Sequence, residues 1–229
     1  MKEIFTPDMK LSDMIDIDYN MLQVISRVGL SLKDAGLTIS EACSSRGIDP
    51  ATFILVCNVY SFSEYVPTPS EIDACSIPDI VRYLHGSHAY YTGWALGSLE
   101  ESFNCLVAPC DGRQKEVIMK FFIDYKSELL KHFAREEERV FPYIEALLSG
   151  RKAEDYSIDE FEEHHENIDE KLVDMKNIVM KYLPAECDEQ TKMVVLLSIY
   201  HLHDDLHRHT YVEDNILVPI VRKLESDGR

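Results

Sequence analysis

One pattern, written twice, constrains this chain more than any other feature. His132-Phe-Ala-Arg-Glu136 is followed by Val140-Phe141-Pro142, and His209-Thr-Tyr-Val-Glu213 by Leu217-Val218-Pro219. Each copy is His-x3-Glu, then an apolar pair, then a proline at the same offset. Each is preceded, at nearly the same distance, by another His-bearing segment, around His85 and around His165. Residues four apart on a helix lie one turn apart on the same face. His132 and Glu136 therefore reach into one space, and His209 and Glu213 into another. A single such pair is a common surface feature; two with matching tails predict a metal site with internal pseudo-two-fold symmetry.

The chain around this repeat reads as helical. Ile118, Phe122, Tyr125, Leu129 and Phe133 recur at three or four residues, the period of an amphipathic helix. Four long helices are predicted, at about 78–106, 113–148, 157–182 and 186–224. Pro109 with Asp111-Gly112 breaks the first, Ser149-Gly150 closes the second and Pro184 ends the third. Long helices with short connections fold most simply as an up-down-up-down four-helix bundle. Pro142 and Pro219 fall inside two of these helices and predict kinks.

Ahead of the bundle, residues 1–66 read as a small helical N-terminal domain, and 76–226 as the bundle. Thr38 or Ser40 can cap one short helix, and Asp49 with Pro50 starts another. Residues 51–60 are apolar enough for a buried helix or a buried strand. Val66-Pro67-Thr68-Pro69-Ser70 is the linker, since its prolines favour extended backbone.

In such a bundle His85 and His165 can face the level of the two His-x3-Glu pairs. Four imidazoles and two carboxylates then converge: His85, His132, Glu136, His165, His209 and Glu213. Bridging carboxylates flanked by nitrogen donors suit two iron ions, and manganese suits the same donors. Zinc normally takes four ligands, often with Cys. His88 shares a face with His85 and competes for its place; His164 competes with His165, which the apolar Ile168 and Leu172 favour. Glu137 and Glu138 turn to other faces and read as surface charge. Tyr90, Tyr91, Trp94, Tyr125 and Tyr211 read as core filler.

Composition excludes several functions. With 45% hydrophobic and 28% charged residues the chain is globular. A net charge of −18 repels phosphate backbones, so no nucleic-acid partner is expected. No apolar run approaches the roughly 20 residues of a membrane span. No secretory signal is visible, and the six cysteines lack a Cys-x2-Cys spacing. Reduced thiols and a cytoplasmic location are the expectation.

These residues resemble the hemerythrin-like, His-His-Glu cation-binding family, and more narrowly its di-iron members that repair iron centres and iron–sulfur clusters. The matching pieces are Arg82-Tyr83-Leu84-His85-Gly-Ser-His88, the two His-x3-Glu-x5-Pro segments, and His165-Glu166. The resemblance implies the six ligands named above, with Glu136 and Glu213 bridging two non-heme irons. It implies a role in nitrosative or oxidative stress, with nitric oxide, oxygen or peroxide as small ligands and iron–sulfur proteins as partners. Repair members usually carry an adjacent Cys-Cys pair in the N-terminal domain, and this chain has none; Cys43 and Cys57 stand there instead. That departure brings forward a second reading, an oxygen or nitric-oxide sensor that binds without turnover.

Overall fold

A computed structural model describes residues 5–151, 156–163 and 169–227. The protein is all-α, 77% helical, with no strand among the described residues beyond one isolated bridge between Lys10 and Thr38. No described helix is long and apolar enough to cross a membrane. The chain divides into two compact units: Met1–Ser87 with Ile144–Asp159 and Arg208–Arg229, and His88–Tyr143 with Glu160–His207.

In the first unit, helices α1 (Leu11–Ile17), α2 (Met21–Arg27), α3 (Ile39–Ser45), α4 (Pro50–Ser61) and α5 (Pro69–Asp73) follow one another. Local chemistry sets their starts. Thr38 accepts the Glu41 backbone N–H at 3.2 Å while Glu41 accepts that of Thr38 at 2.9 Å, a reciprocal capping box that selects Thr38 over Ser40. Asp49 caps α4 by accepting from the Thr52 backbone at 2.8 Å, with Pro50 in the first turn. The Pro-rich linker is shorter than expected: Thr68 and Glu71 form another capping box, and Pro69 opens α5 instead of preventing it. The ambiguous segment 51–60 is helix. α4 buries Phe53, Leu55, Val56, Cys57, Val59 and Tyr60, which leaves it apolar on most sides.

Helix α6 (Ile77–Tyr90) begins in this unit. Asp79 accepts the Asp49 N–H at 2.9 Å, and the Ser76 N–H reaches Thr52 Oγ1 at 2.8 Å. The buried Arg27 guanidinium donates to the hydroxyls of Tyr60 at 2.8 Å and Tyr83 at 3.2 Å, and those hydroxyls bond each other. α2 meets α6 so closely at Gly86 that a Cβ there would stand 2.0 Å from the Arg27 carbonyl oxygen. Only glycine permits that approach.

In the second unit, α7 (Leu96–Leu106), α8 (Gly112–Arg135), α9 (Phe141–Leu148), α10 (Ile158–Glu163), α11 (Asp169–Lys181) and α12 (Glu189–Val212) run wholly or partly. Asp111 caps α8 through the Gln114 N–H at 2.8 Å, and Asp188 accepts the Thr191 N–H at 2.8 Å before α12. The predicted stripe on α8 is buried throughout. It packs with Leu99, Phe103 and Leu106 of α7, with Leu172, Met175 and Val179 of α11, and with Val195, Ile199, Leu202 and Leu206 of α12. Each such side chain contributes about 1.5–3 kcal/mol on burial. The exception to the expected aromatic filler is Trp94, which is 63% exposed.

Each in-helix proline follows a widened turn. A π turn at Glu136–Val140 directly precedes Phe141-Pro142, and another at Glu213–Leu217 precedes Val218-Pro219 and α13 (Val218–Asp227). The Phe141 N–H bonds the Glu136 carbonyl and the Val218 N–H that of Glu213, each five residues back. A proline ring clashes with the carbonyl four residues before it. Inserting one residue into the turn relieves that clash and lets the helix continue. A third π turn, Tyr91–Ala95, has no proline and carries Trp94.

Candidate metal centre

The two sequence repeats become the same local object. In each, the His stands in the last turn of an α-helix and the Glu is the first residue of a π turn. His132 Nε2 lies 2.9 Å from Glu136 Oε1, and His209 Nε2 lies 3.0 Å from Glu213 Oε1. Both carboxylates are 1% exposed. Burying a carboxylate costs several kcal/mol unless a cation or hydrogen bonds compensate, so two such groups at equivalent positions mark a functional site.

Around Glu136 the second unit adds a further imidazole. His88 of α6 is buried, and its Nε2 lies 3.0 Å from Glu136 Oε2. One carboxylate thus holds His132 on one oxygen and His88 on the other. The His88 ring stacks on Phe133, with centroids 4.4 Å apart, and on Phe141 at 5.6 Å. Its Nδ1 lies 2.7 Å from Glu137 Oε1. The ring is therefore fixed by aromatic faces, and the outer carboxylate favours the tautomer with its proton on Nδ1, which turns the Nε2 lone pair toward the space beside Glu136, where a cation could bind both.

Of the sequence-predicted residues, His132, Glu136, His209 and Glu213 are buried, whereas His85 is exposed. His165, and its competitor His164, lie outside the described residues. Among the described residues, His88 and Glu136 of the second unit and His209 and Glu213 of the first are each buried His/Glu donors of the kind that hold a metal ion. His88 had a legible signal: Val81, Leu84, His88 and Tyr91 recur at three or four residues and are all buried, so His88 continues an apolar stripe. Glu137 had none. Sequence spacing turned it toward solvent, and only its bond to His88 gives it a place in the site.

The donors are imidazole nitrogen and carboxylate oxygen, without thiolate, which suits iron or manganese. Burial pushes the Cys43 thiol up to about 12 and the Cys57 thiol well above its ordinary value, so neither supplies a thiolate at neutral pH.

The family model described as the hemerythrin HHE cation binding domain matches residues 98–221, more than half of the chain. The chain therefore belongs to the hemerythrin HHE cation-binding family. It is also 21% identical over 192 residues to the "Iron-sulfur cluster repair protein ScdA" of Staphylococcus haemolyticus, covering 79% of this chain and 82% of that protein.

Proposed function

We propose that this protein holds a non-heme di-iron centre and serves the repair of iron–sulfur clusters under nitrosative or oxidative stress. The observation that carries the reading is the pair of buried His-x3-Glu units, each running from the end of an α-helix into a π turn that begins at its Glu. The likeness to a protein named for iron–sulfur cluster repair supports the repair role. We assign His132, Glu136, His209 and Glu213 as ligands and keep His165 as the sequence-based choice on the third helix. On the first helix the burial of His88 against Glu136 favours it over His85. Two ions, rather than one, are the reading of a duplicated donor set.

The chain's own groups have defined tasks in this proposal. Glu136 and Glu213 supply the negative charge that offsets bound cations. His88 and His132, from different helices, flank the two oxygens of Glu136, so that a cation beside either oxygen would meet an imidazole nitrogen as well. Phe133 and Phe141 keep water from the His88 ring. When bound, a di-iron centre supplies redox change and open coordination for nitric oxide, oxygen or peroxide. Residues 1–66 form the N-terminal domain, and 76–226 the bundle; iron–sulfur proteins in the cytoplasm are the partners. The lack of an adjacent Cys pair, together with the raised Cys43 and Cys57 thiols, favours the second reading, a sensor that binds once and stops.

Metal content and the visible spectrum of protein purified without added metal or chelator test this. About two irons per chain, with loss of iron in His132→Ala and His209→Ala, is the expected result. Full iron and an unchanged spectrum in either variant would overturn the ligand assignment. Repeated consumption of nitric oxide or peroxide, against stoichiometric binding, separates the repair protein from the sensor.

A further inference from the structure

Cys110 and Cys187 are far apart in sequence, yet their sulfurs lie 3.5 Å from each other. Cys110 stands in the connection between α7 and α8, Cys187 in that between α11 and α12. Both sit in turns rather than helices: the Cys110 N–H bonds the Val107 carbonyl at 3.1 Å and the Cys187 N–H that of Pro184 at 3.2 Å. Cys187 is buried within the hydrophobic core of the second unit, and Cys110 packs against that core while remaining partly open to solvent. We infer that Cys110 and Cys187 are a thiol modification site, which a hydroperoxide converts to a disulfide joining the two connections.

A disulfide needs its sulfurs at about 2.05 Å. The remaining approach of about 1.5 Å is within reach of side-chain rotation and small turn adjustments, because neither backbone is held in a helix ladder. The chemistry balances. The Cys110 thiolate attacks the peroxide oxygen, giving a sulfenic acid and releasing an alcohol, or water from hydrogen peroxide. The Cys187 sulfur then displaces the hydroxyl from the Cys110 sulfur, and water leaves. Two thiols lose two electrons and two protons, and the O–O bond is reduced.

The surroundings set the rate and the persistence of the bond. Burial, the neighbouring Cys187, and the charges of Asp111 and Glu186 push the Cys110 thiol up to about 11. Little thiolate is present at neutral pH, so oxidation is slow. For the same reason the reduced Cys110 gains nothing from ionisation, and the disulfide, once made, resists reduction. It closes a long loop and so removes much of the unfolded chain's freedom. Neither cysteine is among the proposed metal ligands, and the inference does not rest on the proposed function.

The test treats the full-length protein with excess hydrogen peroxide, alkylates the remaining thiols, and maps peptides without reduction. The expected product links Cys110 to Cys187, is lighter by two hydrogens, and reverts with dithiothreitol. Its formation speeds up from neutral to mildly alkaline pH, and the linked protein melts higher by on the order of 10 °C. Cys110→Ser and Cys187→Ser each abolish the link. Recovery of both residues as free thiols after prolonged oxidation would overturn the inference, as would sulfinic acid at Cys110 with Cys187 free, or linkage of either to the exposed Cys105.

Discussion

Gly86→Ala should be far more damaging than an alanine placed in a helix usually is. A methyl at this position lies 2.0 Å from the Arg27 carbonyl oxygen, 2.7 Å from its carbonyl carbon and 2.8 Å from its Cα. Non-bonded heavy atoms rest at about 3.5 Å, so α2 and α6 must part by roughly 1.5 Å. The obstacle is backbone and cannot rotate away. Overpacking of this kind costs about 1–3 kcal/mol. The parting also pulls on the buried Arg27 bonds to Tyr60 and Tyr83, and loss of one such charged hydrogen bond adds about 1.5–3 kcal/mol. A total of about 2.5–6 kcal/mol lowers the melting midpoint by on the order of 10 °C in a chain of this size. The control is Gly97, exposed in α7 with nothing within 4 Å of a built Cβ. There alanine should be neutral or stabilising by up to about 1 kcal/mol. Thermal unfolding followed by circular dichroism compares the two. Equal midpoints for Gly86→Ala and the parent protein would refute the close packing of α2 on α6.

Three further outcomes are expected. His88→Ala should lose iron while His85→Ala keeps it, read by metal analysis of the purified proteins; the reverse would return the first-helix ligand to His85. Glu137→Ala should weaken iron binding about 10–100-fold in chelator competition, with Glu137→Gln, which keeps an acceptor, affected less; affinity equal to the parent would mean that the bond to His88 orients nothing. The capping carboxylates Glu41 and Glu71 are held below their ordinary 4.5, Glu41 chiefly by the Thr38 backbone N–H and Glu71 chiefly by the Thr68 hydroxyl. Because their folded values are depressed, the stability they contribute is present above pH 4.5 and is lost as pH falls through the folded values. Acid titration of helicity should therefore flatten in Glu41→Gln and Glu71→Gln, and an unchanged acid transition would show that the caps contribute nothing.

The helices and their starts were legible because both depend on neighbours in sequence. The stripe from Ile118 to Phe133 needs only the helical period, and the Thr38 and Asp49 caps need only a backbone N–H three residues ahead. The His-x3-Glu pairs were legible for the same reason, since four residues make one turn. Local rules failed where the turn itself changed. The π turns ahead of Pro142 and Pro219 were not legible in the spacing, and Trp94 in a third π turn faces solvent rather than core.

The sequence by itself determined an all-helical chain and the His-x3-Glu units that define its family. The tertiary structure alone decided that the buried His88 meets Glu136, that Glu137 bonds the far side of that ring, that only a hydrogen fits at Gly86, and that Cys110 meets Cys187. The first set follows from hydrogen bonds and faces within one helix, where spacing along the chain is distance in space. The second depends on how separate segments pack, where burial and steric exclusion act between residues that sequence spacing leaves unrelated.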